Sequence, residues 1–144
     1  MMVVEIKNSM LEQAQRLLFD LKLKGKDSRH RTKFIRKLQE QREEVAEQER
    51  ELLKEHAHLD ENEQPKTKEA EGGQIWDLKD PAAFVKDKRE LYGEKLVLDS
   101  RNDQDMLQTV GEVLLHCEKE FSGQEAIVYD YLCDQFEQEG TDHE

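Results

Sequence analysis

The sequence predicts a mainly α (α+β) fold, with a long central helix in a helical hairpin, C-terminal helices and a small two- or three-stranded sheet. Three observations predict this class. Apolar residues recur at spacings of three and four in several segments, and one segment of about thirty residues contains neither proline nor glycine. Only short β-branched runs remain for strands. At 144 residues, the chain is predicted to form a single domain over 1–144.

Residues 1–59 are predicted to form a strand followed by the helical hairpin. A β-branched run over 3–6 indicates the strand, and Ser9 with Glu12 three residues later has the spacing of a capping box. The first helix should therefore begin at Ser9. Its apolar stripe continues until Gly25, which is expected to end the helix because glycine is favoured just beyond a helix C-terminus.

The second helix is predicted to run from an N-cap at Asp27-Ser28 to about Leu59. Apolar residues recur every seven positions from Leu38, which is half of a coiled-coil seam, but Gln41, Gln48 and Glu55 occupy the other half. A two-stranded coiled coil with an apolar core is therefore disfavoured. The sequence instead predicts a helix that packs one narrow apolar stripe and exposes its charged faces.

The second half of the chain is predicted to begin with a flexible loop over 60–74, which contains a proline and paired glycines. Residues 75–137 are expected to form a β-α-β element and two C-terminal helices, and 138–144 a frayed tail. Strand candidates are Ile75–Leu78 and Leu96–Leu98, which could pair with each other and with 3–6. Helix starts are indicated at Asp80-Pro81, Asn102-Asp103 and Ser122.

The charge of the chain is unevenly distributed. The formal net charge is -12, and 39% of residues are charged. Residues 22–39 nevertheless contain 8 Lys/Arg and 1 acid, whereas 40–71 contain 12 acids and 5 bases and 99–144 contain 13 acids and 2 bases. The long helix thus begins basic and ends acidic, which is opposite to the order that a helix dipole favours.

Seven cations of the basic segment are the candidate partner-binding residues: Lys24, Lys26, Arg29, Arg31, Lys33, Arg36 and Lys37. Three interpretations are open. The cations form a solvated face partly neutralised by the acidic C-terminal helices, or they form a docking surface for a protein of opposite charge. In the third, the basic segment over 22–42 contacts nucleic acid, which the net charge and the shortage of stacking aromatic residues disfavour.

No pattern in the sequence indicates an enzyme, a metal site or a cofactor. Nucleophile elbows, phosphate-binding glycine loops and zinc-binding His-Glu motifs are all missing. His116 and Cys117 are adjacent, so on a helix they point about 100° apart, and packing is favoured over catalysis. Cys133 has no metal-binding spacing to Cys117. We therefore expect a non-enzymatic protein, without catalytic residues or cofactors, that lacks a signal peptide and a membrane span.

Several segments together resemble a known family. They are the opening Ile6–Ser9, the turn Leu21–Arg29 with Arg31 and Phe34 after it, Glu51–Glu55, Lys119–Gly123 and Tyr129-Asp130. In these segments the chain resembles a family of small proteins of unknown function encoded by bacteriophages and prophages of Gram-positive bacteria. The resemblance implies a phage origin and a place in the host cytoplasm or in association with the virion, and it carries over no established activity or site residues.

The expected function is stoichiometric protein-protein binding, in phage assembly as a tail or late-gene accessory or in host takeover. An alternative is an anti-defence inhibitor, such as an anti-CRISPR protein, whose acidic helices mimic DNA and occupy a host nuclease. Homo-oligomers are a further expectation, and nucleic-acid binding through 22–42 is the second alternative. Replacing Lys26, Arg29 and Arg31 by Ala is expected to abolish partner binding and to leave the melting temperature nearly unchanged.

Overall fold

Five helices and two two-stranded sheets make up the described chain, which confirms the predicted α+β class. This computed structural model describes residues 2–140, with side chains up to 137, so the end of the predicted tail, 141–144, lies outside the described residues. The elements are β1 (Val3–Lys7), a 3-10 turn (Asn8–Met10), α1 (Leu11–Phe19), α2 (Gly25–His56), β2 (Thr67–Ala70), β3 (Gly73–Trp76), α3 (Pro81–Gly93), β4 (Lys95–Asp99), α4 (Ser100–Leu115) and α5 (Gly123–Gly140).

The chain divides into two compact units. Unit 1 contains the described residues up to Arg42 and those from Lys95 onward, and unit 2 contains Glu43–Glu94. The loop predicted at 60–74 lies inside unit 2 and does not mark the division. The long helix α2 supplies its first part to unit 1 and its last part to unit 2.

Unit 1 is joined by the antiparallel pairing of β1 with β4, in the register Val3↔Asp99 to Lys7↔Lys95. Alternate side chains of these strands are buried, because one face of the ribbon lies on the core and the other does not. The strand predicted at Leu96–Leu98 thus pairs with the N-terminal strand. The predicted pairing of Leu96–Leu98 with Ile75–Leu78 is wrong.

The core of unit 1 is built from helical apolar stripes. The rings of Phe34 in α2 and Phe136 in α5 lie 5.9 Å apart between centroids. The α4 backbone approaches Phe136 at Gly111, where an added Cβ would lie 2.9 Å from the ring. The buried apolar helical side chains of unit 1 are Leu11, Ala14, Leu17, Leu18, Phe34, Leu38, Met106, Leu107, Val110, Leu114, Val128, Leu132 and Phe136.

The start of α1 differs from the prediction. Ser9 lies within the 3-10 turn, and α1 begins at Leu11 with no side-chain hydrogen bond at its N-cap. The predicted capping box is therefore wrong, because the turn moves the hydroxyl away from the capping position. Gly25 does not end α1, which stops at Phe19; it begins α2 with φ +61°, a conformation that glycine adopts without strain.

The later helices start with aspartate caps. Asp80 accepts a backbone N–H at the start of α3, and Pro81 occupies the first turn, as predicted. Asp99 caps the first turn of α4, which begins at Ser100. The backbone of Asp103 is non-helical (φ -132°, ψ 36°) and separates this turn from the rest of α4, so the longer part of the helix starts directly after the predicted Asn102-Asp103.

Unit 2 contains a hairpin where the sequence predicts a loop. β2 pairs antiparallel with β3, from Thr67↔Trp76 to Ala70↔Gly73. All eight residues of these strands are exposed, so no apolar alternation indicated them. The turn of the hairpin is Glu71-Gly72, and Gly73 begins β3; Gly72 and Gly73, which were interpreted as part of a loop, both have positive φ.

A polar cluster joins α2 to α3 inside unit 2. The Tyr92 hydroxyl donates a hydrogen bond to the carboxylate of Glu49, and Lys88 Nζ lies 3.1 Å from the same carboxylate. Partial burial raises the pKa of Glu49, but the hydrogen bonds from Tyr92 and Lys88 hold it below 4.5. Burial and then the hydrogen bond to Glu49 raise the pKa of Tyr92 to about 12. The cluster is therefore most stable with Glu49 ionised and Tyr92 protonated.

We expect Gly111→Ala to destabilise unit 1 by about 1–3 kcal/mol, because the new methyl group overlaps the Phe136 ring and helices cannot separate without loss of packing. Urea denaturation measures the effect. A double-mutant cycle with Phe136→Leu should show a favourable coupling, since the smaller side chain makes room for the methyl group. Additive effects of the two changes would contradict the close approach of α4 to Phe136.

We expect Glu49→Gln to lower the pKa of Tyr92 from about 12 toward 10.0, because the anion that opposes tyrosinate formation is removed. The raised pKa means that the folded state retains the proton. Its stabilising effect is complete below pH 10 and is lost as pH rises through about 12. The tyrosinate absorbance of wild type, Glu49→Gln and Tyr92→Phe measures the shift, and identical titrations of wild type and Glu49→Gln would contradict the assignment.

Candidate interaction surface

Four of the seven predicted cations form one stripe on α2. Lys26, Arg29, Lys33 and Arg36 are spaced by three, four and three residues, and all four are exposed. At 100° per residue, this spacing keeps them within an arc of about 60–80° along the helix. We call these four residues the basic stripe. Phe34 and Leu38, in contrast, point into the core of unit 1.

The side chains of the basic stripe are not neutralised by direct ion pairs with described residues. No ion pair within 4.0 Å joins any of its four side chains to a described carboxylate. Like charges three or four residues apart on a helix repel each other by about 0.2–0.5 kcal/mol per pair. The acidic C-terminal helices therefore form no direct ion pair with the stripe, although Asp103 and Asp105 of α4 line the same cleft as Lys33.

Arg31 has a structural role. Its Nη1 atom donates to the carbonyl oxygens of Leu18 and Leu21, both at 2.8 Å. These carbonyls lie at and just beyond the C-terminus of α1, where backbone acceptors have no partner within the helix. Arg31 thus caps α1 from α2. The expectation that Arg31→Ala leaves the melting temperature nearly unchanged does not fit these contacts.

The two remaining candidates lie outside the basic stripe. Lys24 is exposed and precedes the start of α2, and Lys37 is half-buried on a different side of the helix. The seven predicted residues therefore separate into four on one stripe, one cap and two others. The angle of each cation around the helix, measured from the buried Phe34, separates most of these groups and can be calculated from the sequence alone.

An acidic stripe continues on the same face of α2, which the sequence interpretation treated only as a change of charge along the helix. Its members continue the spacing of the basic stripe at four, four, three, four and four residues, and all are exposed. Glu47 also forms an i,i+3 ion pair with Arg50 at 2.5 Å. The acidic stripe consists of Glu40, Glu44, Glu47, Glu51 and Glu55.

A second acidic surface lies on α5. Ile127, Asp130, Asp134 and Glu137 recur at helical spacing and are exposed, and the helix contains no lysine or arginine. None of these three carboxylates forms an ion pair with a described residue. We call these four residues the α5 acidic face. It contains one exposed apolar side chain, since Ile127 is 61% exposed.

A cleft of unit 1 includes His116 and Cys117. It has a volume of about 740 Å³ and is also lined by residues of the α1–α2 connection, including Leu21 and Lys22. The Nδ1 atom of His116 lies 3.0 Å from the carbonyl oxygen of Glu112 and must donate to it. One ring nitrogen is thus committed to the backbone. Cys117 is a free, half-buried thiol, so its surroundings are those of a packed side chain.

The described residues hold no group of three or more His, Cys, Asp or Glu arranged to bind a metal ion. This includes His56, whose Nε2 atom is 2.8 Å from Asp87 Oδ2. No helix in the described part of the chain is both long and apolar enough to span a membrane. The charged face of α2 is therefore the most distinctive chemical feature of the described surface.

A family model supplies the one similarity found. The model described as "Protein of unknown function (DUF1617)" matches residues 2–143. No curated protein and no solved structure matches the chain.

We expect Arg31→Ala to lower the free energy of unfolding by about 1.5 kcal/mol, because two charge-assisted hydrogen bonds to α1 are lost. Arg29→Ala is the matched control: it removes the same side chain two positions away, from the exposed stripe, and should change the stability by no more than about 0.5 kcal/mol. Urea denaturation of both variants measures the difference. Equal effects would show that Arg31 does not cap α1.

Proposed function

We propose that this chain, which belongs to the DUF1617 family of proteins of unknown function, acts without catalysis by binding an acidic protein through the basic stripe. We also propose that it is encoded by a bacteriophage or prophage and acts in phage assembly or host takeover. The phage origin rests on the sequence resemblance alone. The binding role rests on one observation, the four aligned cations of the stripe without an ion pair to a described carboxylate.

The physical basis of the proposal is electrostatic. Four like charges on one face repel each other, and a partner with complementary carboxylates would relieve that repulsion. Complementary charges also raise association rates by steering, and this effect weakens with salt. A protein partner fits better than nucleic acid, because the stripe contains no aromatic side chain for stacking on bases.

The α5 acidic face supports a second candidate function. Its three carboxylates, with no ion pair to a described residue, favour binding to a basic surface, and a DNA-mimicking inhibitor of a host nuclease would use such a face. In this case binding would depend on Asp130 and Asp134 and not on Lys26 or Lys33. The two functions are therefore separable by variants of the two surfaces.

We expect a stripe variant to lose its partner in affinity purification from nuclease-treated lysate of infected cells. Glutamine replaces each cation, since its helix propensity is close to that of lysine and arginine. The recovery of the partner at low salt should fall about tenfold or more. The stripe variant carries Lys26→Gln, Arg29→Gln, Lys33→Gln and Arg36→Gln.

The matched control removes the same number of positive charges from exposed positions elsewhere. It carries Lys54→Gln, Lys79→Gln, Lys86→Gln and Arg89→Gln. Wild type and control should recover the same acidic protein, identified by mass spectrometry, and high salt should release it. Equal recovery by the stripe variant would refute the proposal. Recovery that depends instead on Asp130→Asn and Asp134→Asn would favour the DNA-mimic candidate.

A further inference from the structure

The exposed face of α2 carries nine charges in a single order. Four cations come first, from Lys26 to Arg36, and five carboxylates follow, from Glu40 to Glu55. The mean spacing is close to 3.6 residues, so the row runs nearly straight along the helix. A helix with this order presents the reverse order when it is turned end over end. The helix is therefore complementary to an antiparallel copy of itself.

The register of such a pairing is set by the positions of the charges. In an antiparallel arrangement centred at Leu38, each cation of one helix lies opposite a carboxylate of the other, to within half a residue. All four members of the basic stripe are matched in this register. The opposed pairs are Lys26 with Glu51, Arg29 with Glu47, Lys33 with Glu44, and Arg36 with Glu40.

We propose that α2 pairs with the α2 of a second copy, antiparallel and centred at Leu38, through the basic and acidic stripes. This inference rests on the proposed function, because it uses the same basic stripe and names a second copy as a partner. The arrangement has two-fold symmetry, so each opposed pair occurs twice and the dimer is closed. A register centred near Glu40 also opposes all four cations to carboxylates, but it places Glu40 of one copy opposite Glu40 of the other, which is unfavourable.

The chemistry of the stripes determines what kind of dimer forms. All nine positions are charged, and the apolar residues Leu38 and Val45 are buried within the fold. The pairing is therefore not a coiled coil with an apolar seam. Exposed ion pairs are individually weak and are screened by salt, so the dimer should form at low ionic strength and dissociate at high ionic strength.

Two charge-reversal variants test the register. Variant A carries Arg29→Glu and Lys33→Glu, and variant B carries Glu44→Lys and Glu47→Lys. In a dimer of A, carboxylates would face carboxylates, and in a dimer of B, cations would face cations. In a mixed dimer of A with B, every opposed pair again has opposite signs. The two variants therefore repel themselves and attract each other.

Sedimentation equilibrium of the full chain measures the result. At about 50 mM salt, wild type should show a dimer that dissociates at about 1 M salt. A and B alone should be monomers, and their equimolar mixture should form a dimer. Circular dichroism melting of each variant confirms that it is folded. The proposed pairing is overturned if wild type is monomeric at low salt, if A or B dimerises alone, or if the mixture stays monomeric.

The self-pairing and the proposed function can fail separately. If wild type is a monomer while the stripe variant still loses an acidic phage or host protein, the self-pairing is wrong and the proposed function stands. If the mixture of A and B restores the dimer while no phage or host protein depends on the stripe, the self-pairing stands and the proposed function is wrong.

Discussion

The antiparallel pairing of β1 with β4 is the contact on which the rest of unit 1 depends. It joins the two chain segments of this unit across the whole of Glu43–Glu94, with Val4, Ile6 and Leu98 buried beneath it. The entropic cost of closing such a long connection increases only slowly with its length. Because α4 follows β4 directly and α5 contacts β1 through the Tyr131 hydroxyl, the pairing also positions both C-terminal helices.

Much of this fold is predictable from the sequence because burial is periodic. The stripe from Leu11 to Leu18 in α1 and the stripe from Met106 to Leu114 in α4 are buried at helical spacing, as the sequence predicts. The hairpin of β2 and β3 is not predictable in this way, because its strands are exposed and have no apolar alternation. Its stability depends on backbone pairing and turn glycines, which the sequence alone does not distinguish from a loop.

The sequence predicts the charge of the candidate surface but not the contacts of its individual cations. The sequence locates the basic segment, and helical spacing places Arg29 and Arg31 about 160° apart, but it does not show what Arg31 contacts. That contact depends on where α1 ends. Because α1 stops at Phe19, the carbonyls of Leu18 and Leu21 are open to a donor from α2, and Arg31 is on the side that faces them. Tertiary contact therefore decides which cations remain available to a partner.

The charge order of α2 is unfavourable within the helix itself. In its terminal turns Lys26 and Glu55 oppose the macrodipole, while Asp27 and Lys54 have the favourable signs, so only the stripe charges carry this cost. The order also places like charges three and four residues apart in both stripes. A soluble surface does not require charges that are segregated by sign along a helix, because a surface with interspersed positive and negative charges is also soluble. A partner with the opposite order offsets both costs, and an antiparallel copy of α2 has that order along its full length.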